Sequence, residues 1–155
     1  MADKKRRDVR IENRRAHHEY TISETFEAGL ALSGCEVKSI RLGNASLAES
    51  FCKFDAGELY IFGMHIAPYE QGNSSNPDPL RQRKLLLHKS QLARLRKSTQ
   101  EKGFAVVPLK IYFKRTYAKL LIGIGQGKRL WDKRETLARK DAERQMDRAL
   151  KERHR

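Results

Sequence analysis

Apolar and polar residues alternate from residue 19 to residue 32, which predicts a long first β-strand. Tyr20 and Ile22 fall on one face of this strand, and Thr21 falls on the other. Gly29 marks a predicted bulge or bend. A long, bent first strand that several others follow favours a small barrel.

Residues 50–66 predict a β-hairpin. Residues 51–54 lead into the sequence Asp-Ala-Gly-Glu, in which Gly57 can take a positive φ angle, and residues 59–66 return. Alternation along the return strand predicts two faces, with Tyr60, Phe62, Met64 and Ile66 on one and Leu59 and Ile61 on the other. We therefore expect both faces to be partly covered, as in a barrel wall under helices.

Residues 106–124 predict a second hairpin, with its turn at residues 114–117. Lys110, Tyr112 and Lys114 point away from the apolar residues between them, which puts a cationic stripe with an aromatic ring on the outer face. Such a stripe can bind bases and phosphates. It is equally typical of an ordinary solvated strand.

Apolar residues at helical spacing predict two short helices, at residues 35–42 and 89–100. Gly43 and Gly103 lie just past the predicted ends, where glycine commonly terminates a helix. Residues 67–80 hold three of the four prolines and predict a long loop, a feature that is often functional or mobile.

A basic segment, residues 77–88, ends this loop. Its two prolines hold the chain extended, and Arg81, Arg83 and Lys84 then precede three leucines. We expect the leucines to anchor a rigid loop that delivers guanidinium groups to the surface, where Arg forks suit phosphate oxygens. The alternative is a solvated charged loop before a core segment.

The charge of the chain predicts a polyanionic partner. The 155 residues carry a formal net charge of +14 and suffice for one domain. Nucleic acid is the first expectation and an anionic membrane surface the second, although no apolar run is long enough to span a bilayer. A charged N-terminus without an apolar leader predicts a cytoplasmic protein.

Both ends of the chain are basic. Residues 1–15 predict a mobile arm that either contacts nucleic acid or only aids solubility. Residues 128–155 have helix-forming composition and a thin apolar stripe, so we expect a tail that is disordered when free and helical on a polyanionic groove. A plain solvated helix is the alternative.

Catalysis is not predicted. The five histidines lack metal-ligand spacing, and Cys35 and Cys52 form no CxxC or CxxH pattern, so no cofactor or metal is expected. The glycines of residues 123–127 do not make a phosphate loop, because Ile122 and Arg129 stand where that motif needs other residues. We interpret these glycines as an exit hinge from the barrel.

Seven segments together resemble the SsrA-binding protein (SmpB) family, in the right order and over nearly the whole chain. They are residues 13–20 (NRRAHHEY), 26–29 (FEAG), 34–39 (GCEVKS), 65–69 (HIAPY), 83–88 (RKLLLH), 107–113 (VPLKIYF) and 127–135 (GKRLWDKRE). The resemblance implies a mainly β fold with flanking α, a closed antiparallel OB-type barrel with about three short helices and a basic tail. The predicted division is a basic arm at 1–15, an RNA-binding barrel at 16–127 and the tail at 128–155.

The resemblance also implies a function in trans-translation. The family binds the tRNA-like domain of transfer-messenger RNA (tmRNA) and takes it to stalled ribosomes, where the tail meets small-subunit rRNA in the empty decoding site and message channel. We expect a monomer in a 1:1 complex with the RNA, without enzymatic activity and without a membrane partner. The alternative from another class is a structural ribosomal protein that binds rRNA.

The residues implied for these contacts fall into two sets. The RNA-binding set, which includes the two arginines of the basic segment, is Asn13, Arg14, His18, Tyr20, Glu27, Arg81, Arg83, Lys84, Leu86 and His88. The decoding-site set is Gly127, Lys128, Trp131, Asp132, Lys133 and Arg134. The chain departs from the family pattern at two positions. Trp131 stands where His or Tyr is expected, which keeps stacking on a base but changes the hydrogen bond from the ring, and Pro77 stands where His is usual, so the contact of that His is lost.

Overall fold

Seven antiparallel strands form the main sheet of this computed structural model, which describes residues 9–101, 103–128 and 130–153. The strands are β1 (Arg10–Glu12), β2 (Tyr20–Leu30), β3 (Ala45–Ser46), β4 (Phe51–Asp55), β5 (Glu58–Phe62), β6 (His65–Ile66), β7 (Arg83–Leu86), β8 (Phe104–Lys114) and β9 (Tyr117–Gly127). The helices are α1 (Ala16–Glu19), α2 (Gly34–Arg41), α3 (Lys89–Thr99) and α4 (Leu130–Arg153), with a 3-10 turn at Glu70–Ser75. The main sheet has the order β1-β8-β9-β2-β7-β5-β4, and β3 pairs with β6 separately.

Both predicted hairpins and both predicted short helices are confirmed. The β4–β5 turn has Ala56 and Gly57 at positive φ, 50° and 82°, the geometry that favours glycine in a two-residue turn. The β8–β9 turn likewise has Arg115 at φ 59°. In α2, Ser33 and Glu36 form a capping box, which fixes the start of the helix.

The mainly β architecture is confirmed, but the closed barrel is not. No ladder among the described residues joins β4 to β1, so the main sheet is open by hydrogen bonding. β4 nevertheless lies close to β8, and the sheet curls around its core. A register irregularity between Ile22 and Glu24 in β2, and another between Pro108 and Lys110 in β8, accompany this curl.

The predicted faces of residues 59–66 are wrong beyond Phe62. Gly63 breaks the strand at φ 72°, and a side chain there would collide with the carbonyl oxygen of Glu49. The chain therefore changes direction, and Met64 becomes buried together with Leu59 and Ile61 instead of opposing them. Period-two counting cannot continue through such a break.

The core lies inside the curled sheet. Its fully buried residues include Ala28, Ile61, Leu85, Leu120 and Ile122 from the strands, closed by Ile40 of α2 and Leu95 of α3. A second, smaller cluster lies on the opposite face of β2, β8 and β9, under α1. It contains Ala16, Val107 and Leu109, packed with Tyr20, Ile22 and Leu121.

The glycines of residues 123–127 are not an exit hinge. Gly123 and Gly125 lie inside β9, paired with β2 on one side and β8 on the other. A Cβ at Gly123 would lie 2.7 Å from Ile22 Cγ2, and one at Gly125 would lie 2.9 Å from Val107 Cγ2. These glycines let the smaller apolar cluster pack directly on the backbone of the sheet.

The ends of the chain differ from expectation. Residues 10–12 of the predicted arm form β1 on β8, while residues 1–8 lie outside the described residues. Residues 130–153 of the predicted tail are helical in the free chain, whereas disorder was expected there. The side chains described from Arg134 onwards are exposed, so α4 stands largely in solvent.

Candidate nucleic-acid interface

An exposed carboxylate is held between an aromatic hydroxyl and a lysine on the outer face of the sheet. The Glu27 carboxylate of β2 accepts a hydrogen bond from the Tyr112 hydroxyl of β8. Its Oε1 lies 3.5 Å from Lys114 Nζ. We call Glu27, Tyr112, Lys114, Lys110 and Lys119 the Glu27 cluster.

Strand register assembles this cluster. β9 lies between β2 and β8, with Lys119 paired to Tyr112 on one side and Gly29 on the other. The alternation of β8 turns Tyr112 and Lys114 outward while Ile111 is buried in the core. Lys110 Nζ lies 5.6 Å from the centroid of the Tyr112 ring.

The electrostatics of the cluster keep Glu27 ionised and Tyr112 protonated at neutral pH. The hydrogen bond from Tyr112 lowers the pKa of Glu27, burial opposes this effect, and Lys114 and Lys119 lower the pKa further. Burial and the hydrogen bond to Glu27 raise the pKa of Tyr112. At neutral pH the surface therefore offers an ionised carboxylate, held by a neutral phenol that donates to it, and three lysines.

Leu86 extends this surface across β7. Its side chain is 52% exposed and faces Gly29 of β2, where an added Cβ would lie 3.2 Å from Leu86 Cβ. Lys84 lies on the same side of β7, with Nζ 3.8 Å from Glu58 Oε2, and His88 is exposed just before α3. Glu27, Lys84, Leu86 and His88 of the predicted set thus share one region of the surface.

The structure does not deliver Arg83 to the surface. Arg83 is fully buried, and its guanidinium binds Glu36, the carbonyl oxygen of Met64 at 2.6 Å and that of Pro79 at 3.1 Å. The prediction that this side chain meets phosphate is therefore wrong. Arg81 is partly exposed but also pairs with Glu36 and donates to Ala31.

Glu36 is the buried counter-charge that sequence reasoning missed. Burial raises the pKa of its carboxyl, but hydrogen bonds from Arg81, the Ser33 amide and Arg83 outweigh that effect and lower it. The two arginines and Glu36 lock the end of the long loop onto α2. These three residues contribute to the site indirectly, because they fix the position of β7 and therefore of Leu86.

The first predicted segment lies at the other end of β2. Asn13 is buried, with Nδ2 donating to the carbonyl oxygen of Pro108 at 2.9 Å, and it anchors the chain before α1. Arg14 is exposed, whereas His18 and Tyr20 are half-buried. Asn13 therefore anchors the chain next to Arg14, and its own side chain offers little surface to RNA.

The start of the decoding-site set lies beside α1. Gly127 pairs with Tyr20, the amide of Lys128 donates to the carbonyl oxygen of Glu19 at 2.9 Å, and Lys128 Nζ donates to that of His17 at 2.8 Å. Arg134 is exposed, while the side chains of Trp131, Asp132 and Lys133 lie outside the described residues.

The Glu27 part of the RNA-binding set is separated along the sheet from the decoding-site set, whereas Tyr20 of the RNA-binding set pairs directly with Gly127. Glu27 lies seven residues beyond Tyr20 along β2, a distance of about 23 Å at the usual rise of a strand. The Glu27 cluster with Leu86 and the start of α4 therefore form two distinct surfaces. Tyr112 and Lys114 were absent from the predicted site set, although the alternation of charge and ring along β8 had indicated them.

Other site types find no support in the described part of the chain. No group of His, Cys, Asp and Glu there could hold a metal ion. No helix among those residues is long and apolar enough to cross a membrane.

Comparison with known proteins gives consistent matches. The family model described as "SmpB protein" matches residues 10–152. The SsrA-binding protein of Pelotomaculum thermopropionicum is 56% identical over 147 residues, which cover 95% of this chain and 96% of the relative. That of Bacillus pumilus is 54% identical over 142 residues, or 92% and 91% of the two chains.

A solved structure is similar as well. It is described as "tmRNA-SmpB: a journey to the center of the bacterial ribosome" and superposes with a TM-score of 0.66 at 52% identity. The match covers 83% of this chain and 94% of the other.

Proposed function

The chain belongs to the SmpB protein family, and we propose that it is the RNA-binding adaptor that carries tmRNA to stalled ribosomes in trans-translation. Its partners are the tRNA-like domain of tmRNA and the ribosome. It performs no chemical step of its own and acts in the cytoplasm as a monomer, one copy per RNA.

The observation that carries this function is the ionised Glu27 carboxylate on a cationic surface beside an exposed leucine. A carboxylate can accept hydrogen bonds from a 2′-hydroxyl or a base amine, which a phosphate-binding cation cannot do. The lysines of the cluster supply phosphate contacts, and Leu86 covers an unstacked base. The surface combines affinity with recognition of an RNA loop.

The RNA-binding residues are then Glu27, Tyr112, Lys114, Lys84, Leu86 and His88, with Arg14, His18 and Tyr20 at the far end of β2. Arg81, Arg83 and Asn13 are positioning residues: Asn13 and Arg83 are buried, and Arg81 pairs with Glu36 and donates to Ala31.

The surface at the start of α4, beside α1, contacts the decoding site. Gly127 and Lys128 hold the start of α4 against α1, from which Trp131, Asp132, Lys133 and Arg134 follow. The thin apolar stripe of α4 is left uncovered, with Leu137, Met146 and Leu150 exposed, so rRNA supplies further contacts that stabilise this helix. An empty message channel is where such contacts are available.

A reconstituted tagging reaction tests the proposal. Ribosomes stalled on a message without a stop codon are incubated with charged tmRNA, with and without the purified chain. We expect the tmRNA-encoded peptide on the nascent protein only when the chain is present. Equal tagging without it would overturn the function.

A further inference from the structure

Three aromatic side chains form a row on the outer face of β4 and β5, exposed at Phe51 and partly buried at Phe62 and Tyr60. The rings of Phe51 and Phe62 stack, with centroids 5.4 Å apart and planes 13° from parallel. The Tyr60 ring follows, 6.5 Å from that of Phe62. We call Phe51, Phe62 and Tyr60 the aromatic ladder.

The core does not need this ladder. Leu59 and Ile61, which alternate with it along β5, are fully buried and fill the inner face. Phe51 is 53% exposed, although a ring of this size would ordinarily be covered. Surface positions of a strand accept many polar residues, so three adjacent rings there call for a ligand with flat apolar faces.

The charges around the ladder fit an anionic ligand. Tyr60 is paired with Lys53 on β4 and with Lys84 on β7, so a cation lies on each side of its ring. Glu58 offsets part of the charge of Lys84. Asp55 and Glu58 face each other at the hairpin turn, which confines the carboxylates to one end.

The ladder is also continuous with the proposed RNA surface. Lys84 lies beside Tyr60, and Leu86, two residues further along β7, lies beside Gly29 of β2. Only β7 and β5 separate β2 from β4, a width of about 15 Å at the usual strand spacing. An RNA held at Glu27 can therefore continue over the ladder.

We propose that the aromatic ladder binds an unpaired stretch of RNA, whose bases stack on Phe51 and Tyr60 while Lys53 and Lys84 contact its phosphates. This proposal rests on the proposed function for the presence of RNA at the neighbouring surface, and it adds a second kind of contact. Stacking tolerates any base because every base has a flat face. The ladder thus selects for the absence of base pairing and not for sequence.

The test uses the full chain and a fluorescein-labelled oligoadenylate of about ten nucleotides, within the usual site size of single-strand platforms. F51L removes the ring but keeps an apolar side chain of similar size, and F51Y is the matched control that keeps the ring. Fluorescence anisotropy should give about tenfold weaker binding for F51L and nearly unchanged binding for F51Y, since one stacked base contributes on that scale. Equal binding by F51L and the unmodified chain would overturn the proposal.

A second measurement covers the case in which F51L disturbs the fold. Ultraviolet crosslinking of the same oligoadenylate to the unmodified chain, read by mass spectrometry, should mark peptides that contain Phe51 or Tyr60. Crosslinks confined to other peptides would contradict RNA binding by the ladder. That result would favour the alternative in which the ladder docks a protein. The variants E27A and F51L are also compared for binding of the isolated tRNA-like domain. Weaker binding by E27A, with binding by F51L unchanged, would support the proposed function independently of the ladder, which the oligoadenylate measurement tests.

Discussion

The Tyr112 hydroxyl on β8 donates a hydrogen bond to the Glu27 carboxylate on β2, across the intervening strand β9. The two residues are 85 positions apart in the chain, so the bond exists only when the sheet is assembled. It fixes an ionised acceptor on a surface that is otherwise cationic. That relationship makes the site specific, because lysines alone would bind any polyanion.

Replacement of Glu27 by alanine should weaken binding of the tRNA-like domain about tenfold, since a hydrogen bond to a charged group contributes roughly 1.5–3 kcal/mol. Binding is measured by electrophoretic mobility shift at moderate salt. Glu27→Gln is the control that keeps an acceptor for Tyr112 but removes the charge. If charge alone governed affinity, both variants would bind more tightly, and tighter binding by Glu27→Ala would contradict the assigned role.

Replacement of Tyr112 by phenylalanine should raise the pKa of Glu27 towards its ordinary value of 4.5, because the hydroxyl is the largest cause of its lowering. Carbon-detected NMR titration of the Glu27 carboxyl measures this shift. A depressed pKa keeps the acceptor ionised as the pH falls, so RNA binding by the variant should weaken at a higher pH than binding by the unmodified chain. An unchanged titration would show that Lys114 and Lys119 suffice.

Replacement of Glu36 by glutamine should lower the free energy of unfolding by about 3 kcal/mol, because it leaves the buried Arg83 charge without its partner. Chemical denaturation measures the change. Glu24→Gln is the matched control, since Glu24 pairs with the exposed Arg94 at 3.1 Å and such surface pairs contribute little. Equal loss in the two variants would contradict the structural role of Glu36.

The contribution of Glu36 should depend on pH in a defined direction. Its folded pKa lies below the ordinary 4.5, so its stabilisation is fully present above pH 4.5 and is lost as the pH falls through the folded pKa. The difference in unfolding free energy between the unmodified chain and Glu36→Gln should therefore be constant near neutral pH and shrink in acid. Denaturation curves at several pH values measure it, and a difference that grew in acid would refute the assignment.

Replacement of Gly125 by alanine should destabilise the fold by about 1–3 kcal/mol, as overpacking usually does. The added Cβ would lie 2.9 Å from Val107 and 3.0 Å from Tyr20 Cβ. Gly127→Ala is the matched control two residues along β9, where a Cβ meets nothing within 4 Å. Melting temperatures compare the two, and equal values would mean that the apolar cluster adjusts freely.

Deletion of residues 130–155 should leave binding of the tRNA-like domain unchanged and abolish peptide tagging. This truncation keeps Lys128, which is hydrogen-bonded to α1 and belongs to the fold. Mobility shift and the reconstituted tagging reaction read the two functions separately. Loss of RNA affinity on truncation would contradict the division into two surfaces.

Local signals predicted the local structure. The Gly57 turn, α2 with its terminating Gly43 and the outward stripe of β8 all depend on residues close in the sequence. The direction of β6 was not predictable, because the break at Gly63 depends on the close approach of the Glu49 carbonyl oxygen, 14 residues earlier in the chain.

Long-range partners explain the remaining errors. Arg83 was expected at the surface because arginine in a basic run usually is, and nothing nearby in sequence reveals Glu36, 47 positions earlier, as its buried partner. Gly123 and Gly125 were interpreted as a hinge because their crowding comes from β2 and β8. Family resemblance supplied Glu27, whereas the bond to Tyr112 required the assembled sheet.

The most direct test of the central claim is sequencing of the RNA that co-purifies with the untagged chain at moderate salt, where non-specific phosphate contacts are weak. We expect one dominant stable RNA with a tRNA-like end and an internal reading frame. A mixture of rRNA and tRNAs would contradict the adaptor function and favour a structural protein that coats ribosomal RNA.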